Sequence, residues 1–389
     1  MLQKIILKNF KSFRHETTVD LRKTNYTILP ENVSDSGILK GCIFVGANAS
    51  GKSNIILSVK LLLDFLFSER SINSGMFRCM FGDEFSYSVD YWFGISGSQV
   101  RYFLEVDTRN TFITEKLYVD SRLKMERMGV SAKSYIADEN GISYDDTDVD
   151  RETLFLRTLY FNTKFSGDQV LREWMDFLSK SVYINAFEKR IESYGKEEIG
   201  LIKHLKASGS EKINHFFEAY NFEQSVEYAH ASAGKDYIIS LPGAEDEKYV
   251  FFKRKGIEAP IPFSEESCGN QNLLRMLPAF LSVAANGGML LIDEFSSGFH
   301  NDLEELLVRF FMKNASDGQL LFVSHSTNLL SNSLLRPDQE YSVEFHGIEG
   351  STVRRFSSEQ PRAAQNVEKM YVSGVFGGLP NYGERDDEA

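Results

Sequence analysis

Lys40-Gly-Cys-Ile-Phe-Val45-Gly46-Ala47-Asn48-Ala49-Ser50-Gly51-Lys52-Ser53-Asn54 is the stretch on which the reading turns. Lys40 to Val45 has the short apolar run of a buried strand, and the residues from Lys52 to about Ser68 carry a helical pattern. Between them, Gly46 to Ser53 matches G-x-x-x-x-G-K-[ST] at every fixed position. Each residue type has a chemical reason. Glycines let consecutive backbone N–H groups wrap a phosphate, and the following helix adds the partial positive charge of its N-terminus. Lys52 then reaches the outer phosphates, the Ser53 hydroxyl ligates Mg²⁺, and Asn54 completes the loop's contacts. The plain alternative is a Gly/Ser turn that precedes Lys-Ser by chance, and it leaves the flanking strand and helix unexplained. The expected ligand is ATP with Mg²⁺; no [NT]-K-x-D pattern is present to read a guanine base.

Three further segments acquire meaning beside that loop. Met289-Leu-Leu-Ile-Asp293-Glu294 is an apolar strand ending in two carboxylates. Alone it is an ordinary strand reaching the surface. Paired with a phosphate loop, it offers Asp293 to the metal and Glu294 to the attacking water. Glu266-Ser267-Cys268-Gly269-Asn270 opens a predicted helix, so Ser267 and Gly269 are either a plain N-cap or a grip on an anion. His325 follows the next apolar strand, Gln319 to Val323. A lone histidine at a strand end is usually structural.

The rest of the chain sets the frame. Lys4–Asn9 and Thr17–Leu21 read as short strands, and Glu84–Met128 alternates with period two as an antiparallel meander does. From Asn270 the order is helix to Ala285, strand Met289–Ile292, helix Asn301–Lys313 and strand Gln319–Val323, a parallel α/β arrangement. The expected fold class is therefore α/β: a phosphate-loop NTPase with a mixed sheet, an antiparallel β lobe and a mainly helical insertion. Its parts are 1–128, an insertion or lid over 129–257 with helices near Gln169–Ser181 and Glu211–Phe222, a second part of the head over 258–382, and an acidic tail over 383–389.

With 389 residues, 42% hydrophobic and 25% charged, the chain has the balance of a globular protein. The longest apolar run, Ile55–Phe67, is interrupted by Ser58, Lys60 and Asp64, so no membrane span is expected. The N-terminus lacks the apolar block of a signal peptide, and Cys42, Cys79 and Cys268 are too scattered for a disulfide framework, which points to a cytoplasmic protein. A net charge of -12 restricts any nucleic-acid contact to local basic stretches, Lys8–Arg14 or Lys253–Gly256; a solvated edge and a hairpin tip are the ordinary readings of both.

Together with Leu7-Lys-Asn-Phe-Lys-Ser-Phe13, Gly298-Phe-His300, Ser324-His-Ser-Thr-Asn-Leu-Leu330 and Asn366–Pro380, these motifs resemble the RecF/SMC-type branch of ABC ATPases. More narrowly they are similar to the ATPases of bacterial abortive-infection and anti-phage loci, of the overcoming-lysogenization-defect type without its nuclease domain. The resemblance covers about 1–125 and 260–382. It implies a homodimer with ATP sandwiched between subunits, the Ser267–Gly269 segment of one closing over the nucleotide of the other. It also implies slow ATP hydrolysis, with Lys52, Glu294 and His325 as catalytic residues and a separately encoded nuclease or toxin as effector. Cys268, and Ser326 after His325, depart from the transporter pattern, and no glutamine is assignable to the Q-loop. A DNA-clamping repair ATPase and a non-catalytic ATP-dependent scaffold are the alternatives.

Overall fold

The computed structural model describes residues 1–68, 75–136, 145–146, 148–195, 199–233, 238–240 and 248–379. The acidic tail lies outside them. First along the chain come β1 (Leu2–Lys8), β2 (Thr17–Asp20), β3 (Gly41–Val45) and α1 (Lys52–Phe67). The period-two stretch supplies β4 (Ser86–Ile95), β5 (Ser98–Asp107), β6 (Phe112–Val119) and β7 (Arg122–Met128), followed by β8 (Ser131–Ser134) and β9 (Asp145–Asp146). The middle of the chain forms α2 (Phe155–Thr163), α3 (Gln169–Ser179), β10 (Val182–Asn185), β11 (Arg190–Ser193), α4 (Leu201–Ser208) and α5 (Glu211–Ala219). There follow β12 (Gln224–Ala229), β13 (Ala231–Ala233), β14 (Ile238–Ser240), β15 (Tyr249–Arg254) and β16 (Ile261–Pro262). The last part is α6 (Cys268–Asn286), β17 (Gly288–Asp293), α7 (Asn301–Asn314), β18 (Gly318–Val323), β19 (Glu340–Phe345), β20 (Ser351–Arg355) and α8 (Val367–Val372).

Two large sheets result. One is an antiparallel lobe of eight strands in the order β2-β1-β4-β5-β6-β7-β8-β9. The other has seven strands in the order β11-β10-β17-β18-β3-β19-β20, parallel from β10 to β19 and antiparallel at both edges. Every residue of β3, β17 and β18 is buried, as strands covered on both faces must be. Alternation decides which core each side chain enters. Cys42 and Phe44 join the cluster of α1, α3 and the lobe, whereas Ile43 and Val45 join that of α6 and α7. The parallel strands end on one edge, where ligands of open α/β sheets bind, and Val45, Asp293 and Val323 are their last residues.

The stretch 129–257, expected as a mainly helical insertion, contains α2 to α5 but also strands, and it is not set apart from the head. Its β10 pairs in parallel with β17, Asn185 beside Asp293. Four residues are too few to show a period, and the helical patterns on either side dominate the reading of the sequence. Among the described residues no helix is long and apolar enough to cross a membrane.

Candidate functional site

Gly46 to Ser53 bridges the end of β3 and the start of α1. Its glycines are dictated by space as well as by dihedral angle. Gly46 has φ 152°, and a Cβ there would lie 2.3 Å from the Val343 carbonyl oxygen; Gly51 has φ 106°, and its Cβ would lie 2.4 Å from Ser12 Oγ. Lys52 is 4% exposed and donates to the carbonyl oxygens of Gly46 at 2.9 Å and Ala47 at 2.7 Å. Burial lowers its pKa, with Glu294 and Asp293 pulling the other way. The Ser53 hydroxyl donates to Asp293 Oδ1 at 2.7 Å. Asn54, by contrast, turns towards the N-terminal segment, its amide donating to Ser12 Oγ at 2.8 Å. Ser50 is 2% exposed, and its Oγ has no partner.

Asp293 and Glu294 differ in environment although adjacent. Asp293 ends β17, and burial raises its pKa against the opposing bond from Ser53, with the Glu294 charge adding to the rise. Glu294 takes φ 57°, a left-handed conformation that costs a non-glycine residue about 1–2 kcal/mol. The Glu294 carboxylate lies 3.5 Å from His325 Nε2. A pair of serines fastens the two loops that carry them. Ser296 and Ser324 share a 2.7 Å hydrogen bond; Ser296 Oγ also accepts from the His325 N–H at 3.0 Å, and Ser324 Oγ from the Ser326 N–H at 3.0 Å.

A cavity of about 780 Å³ opens beside these groups, lined by Val45, Gly46 to Ala49, Glu294, Ser324 and His325; Lys52, Ser53 and Asp293 are not among its lining residues. Phe187, Thr327, Tyr371 and Leu379 complete its wall; Thr327, Tyr371 and Leu379 lie within segments that carry the family resemblance, without a role of their own, and nothing in the sequence marks Phe187. Asn185, beside Asp293 in register, was equally hidden; its Oδ1 accepts from the Glu188 N–H at 2.8 Å. The one signal was the short apolar run Val182-Tyr-Ile before it. Ser267 and Gly269 do not line this cavity. Ser267 caps α6, its Oγ accepting from the Asn270 N–H at 3.3 Å, while Glu266 accepts from the Ser267 N–H and pairs with Arg254 at 2.6 Å. Cys268 is exposed and Gly269 half-buried.

The donor set fits a magnesium nucleotide. The hydroxyl and carboxylate oxygens of Ser53 and Asp293 are hard ligands meeting at one point, beside a glycine loop at a helix N-terminus.

Comparison with known proteins bears on the family and the fold. The family described as "AAA domain, putative AbiEii toxin, Type IV TA system" matches residues 43–331. No match was found among curated proteins. Among solved structures, the chain is similar to the Smc head domain with an extended coiled coil bound to the C-terminal domain of ScpA, derived from Pyrococcus furiosus. Identity is 13%, coverage 90% of this chain and 95% of that one, and the TM-score 0.50, which is a likeness of fold. The SmcHead bound to the C-winged helix domain of ScpA (13% identity, covering 90% and 97%, TM-score 0.49) and the SMC head domain from Thermotoga maritima (15%, 90% and 97%, 0.47) also match. With residues 43–331, more than half of the chain, matched, the protein belongs to this AAA-domain family, and its fold is like that of the SMC heads.

Proposed function

We propose that the chain binds MgATP at Gly46–Asn54 and hydrolyses it slowly, as one half of a nucleotide-sandwiched homodimer. The reading rests above all on one observation: Ser53 and Asp293 meet at 2.7 Å, and Glu294, the residue after Asp293, lines a cavity with Gly46–Ala49 and His325. Ser53 and Asp293 would hold Mg²⁺, which when bound neutralises charge on the phosphate oxygens. Lys52, now on two loop carbonyls, is within a side-chain rotation of an incoming phosphate. Glu294 orients and deprotonates the attacking water, and His325, 3.5 Å from it, steadies the terminal phosphate. Ser267, exposed at the start of α6, and Gly269, half-buried beside it, are outside this cavity's lining, which suits a role on a second subunit's nucleotide.

Glu294→Gln is expected to keep MgATP binding, trap the dimer and lower turnover by about 10²-fold or more. Lys52→Ala is expected to lose nucleotide binding. Equilibrium binding, single-turnover hydrolysis and light scattering check all three points; wild-type turnover in Glu294→Gln removes Glu294 as the base.

At the level of the cell we infer a cytoplasmic sensor and switch of an anti-phage defence system, releasing a separate effector such as a nuclease or toxin according to nucleotide state. The family's description, with its putative toxin and toxin–antitoxin system, supports that reading, as do the SMC heads solved with ScpA as examples of a head holding a partner. A DNA clamp is the second reading. The stretch Lys8–Arg14 is its best support, although Lys8 pairs with Glu84 and Arg14 with Glu349. An ATP-dependent, salt-sensitive shift of duplex DNA would favour it.

A further inference from the structure

The family match ends at residue 331, yet the wall of the cavity continues beyond it with Tyr371 and Leu379. We propose that the segment Val367–Leu379 is a latch joining the phosphate loop to the His325 loop, with Glu368 and Gly378 as positioning residues for the hydrolysis proposed above, on whose reading this role rests.

Two attachments on opposite walls carry the inference. At one end, the Gly378 carbonyl oxygen accepts from the Ala47 N–H at 2.8 Å and from the Tyr371 hydroxyl at 3.4 Å. A main-chain group of the phosphate loop is thus held by residues more than three hundred positions away. At the other end, Thr327 Oγ1 donates to Glu368 Oε1 at 2.8 Å, and Thr327 stands two residues after His325.

Between the ends the segment is packed against the rest of the chain. The ring of Phe376 stacks on Phe356 at 3.9 Å with an interplanar angle of 6°, and the Phe376 carbonyl accepts from Ser342 Oγ at 2.6 Å. Gly377 and Gly378 both have left-handed backbones, with φ 69° and 75°; a Cβ on Gly377 would lie 2.7 Å from Glu344 Oε2, and one on Gly378 3.1 Å from Ser342 Cβ. Two consecutive residues of this kind admit glycine readily and little else. The chain is bent here so that one carbonyl meets Ala47. A strap with one foot on each loop fixes the distance between the amides that receive phosphate and the histidine that faces its outer end.

The two feet make separable predictions. Glu368→Ala and Thr327→Val should each lower kcat about fivefold to tenfold with MgATP affinity within about twofold of wild type, and the double variant should be no worse than either single one. Glu368→Gln retains an acceptor oxygen for Thr327 and should restore kcat. Gly378→Val should weaken MgATP binding. Amide hydrogen exchange on the nucleotide-free protein reads the other foot without any turnover: the Ala47 N–H should be protected in the wild type and exchange faster in Gly378→Val.

Unchanged kcat in both Glu368→Ala and Thr327→Val overturns the latch, as does a Glu368→Gln variant no better than Glu368→Ala. An unprotected wild-type Ala47 N–H overturns it independently of catalysis. A wild-type protein that shows the protected amide but no hydrolysis defeats the ATPase reading and leaves the physical link between the loops standing.

Discussion

Two glutamates at zero exposure, one in each large sheet, are treated in opposite ways. In the antiparallel lobe, Glu115 is enclosed by the Arg127 guanidinium at 3.2 Å, the Tyr102 hydroxyl at 2.8 Å and the N–H groups of Phe155 at 2.7 Å and Leu156 at 3.2 Å. In the parallel sheet, Glu340 of β19 has no partner on either carboxylate oxygen. Burial, reinforced by Asp338, pushes its pKa well above the ordinary carboxylate value. Glu304 on α7, in the same half of the molecule, also has a bare oxygen and a pKa raised by burial. The lobe is a brace in which buried charge is answered group by group; the sheet that carries the phosphate loop keeps unanswered carboxyls. Buried polar groups are normally satisfied; the lobe too leaves the Tyr87 hydroxyl and the Trp92 ring N–H without a partner, so the contrast is one of carboxyl groups.

The largest effect expected on breaking this contrast is in the lobe. Arg127→Met removes the cation at 1% exposure, leaves the Glu115 charge buried, and also empties the bonds to the carbonyls of Gly129, Asp150 and Thr153. Breaking one side of a buried ion pair costs about 3–5 kcal/mol. Urea denaturation should show that loss, while turnover per folded molecule stays near wild type. A loss below about 1 kcal/mol would mean that the cluster is not the brace described.

A smaller and opposite effect is expected at Glu340, and it depends on pH. The folded state holds the Glu340 proton above the ordinary carboxylate value of 4.5, at which the unfolded chain releases it. Folded protein therefore binds more protons in that window, and this group's contribution to stability falls as pH rises from about 4.5 towards the raised folded value. Glu340→Gln removes the titration. It should leave stability nearly unchanged at pH 5, raise it by about 1–2 kcal/mol at pH 8, and flatten the slope between them. Denaturation of both proteins at the two pH values measures this; parallel curves would show that Glu340 is solvated in the folded state.

The same two regions differ in how far the sequence disclosed them. The lobe was legible because β4 to β7 alternate cleanly, Tyr87, Val89, Tyr91 and Phe93 inward and their neighbours outward. The site was legible for a chemical reason: a phosphate loop needs glycines at Gly46 and Gly51 and a hydroxyl at Ser53, and its strand needs a carboxylate at Asp293, so residue type and spacing carry the message. What stayed hidden depends on contacts between distant residues. β10 is four residues long and enters the sheet only because β17 receives it; the Gly378 carbonyl meets Ala47 only after the chain has folded back. The Ser296–Ser324 bond and the pairing of Glu115 with Arg127 are equally silent in the sequence, since serines and charged residues are ordinary at any surface.

The smallest expected effect tests whether burial, rather than charge, governs the contrast. Lys8 and Glu84 form an ion pair of the same type as Arg127 and Glu115, 3.5 Å apart, but with side chains 53% and 59% exposed. In water the Coulomb gain is screened, and fixing two long side chains opposes it, so such pairs contribute about 0–1 kcal/mol. Lys8→Met should accordingly change stability by less than about 0.5 kcal/mol, and raising the salt concentration should not widen the difference. A loss comparable with that of Arg127→Met would mean that the edge of the lobe is more enclosed than its exposure indicates. Lys8 would then be a structural cation, and the basic stretch Lys8–Arg14 would have one fewer charge to offer a phosphate backbone.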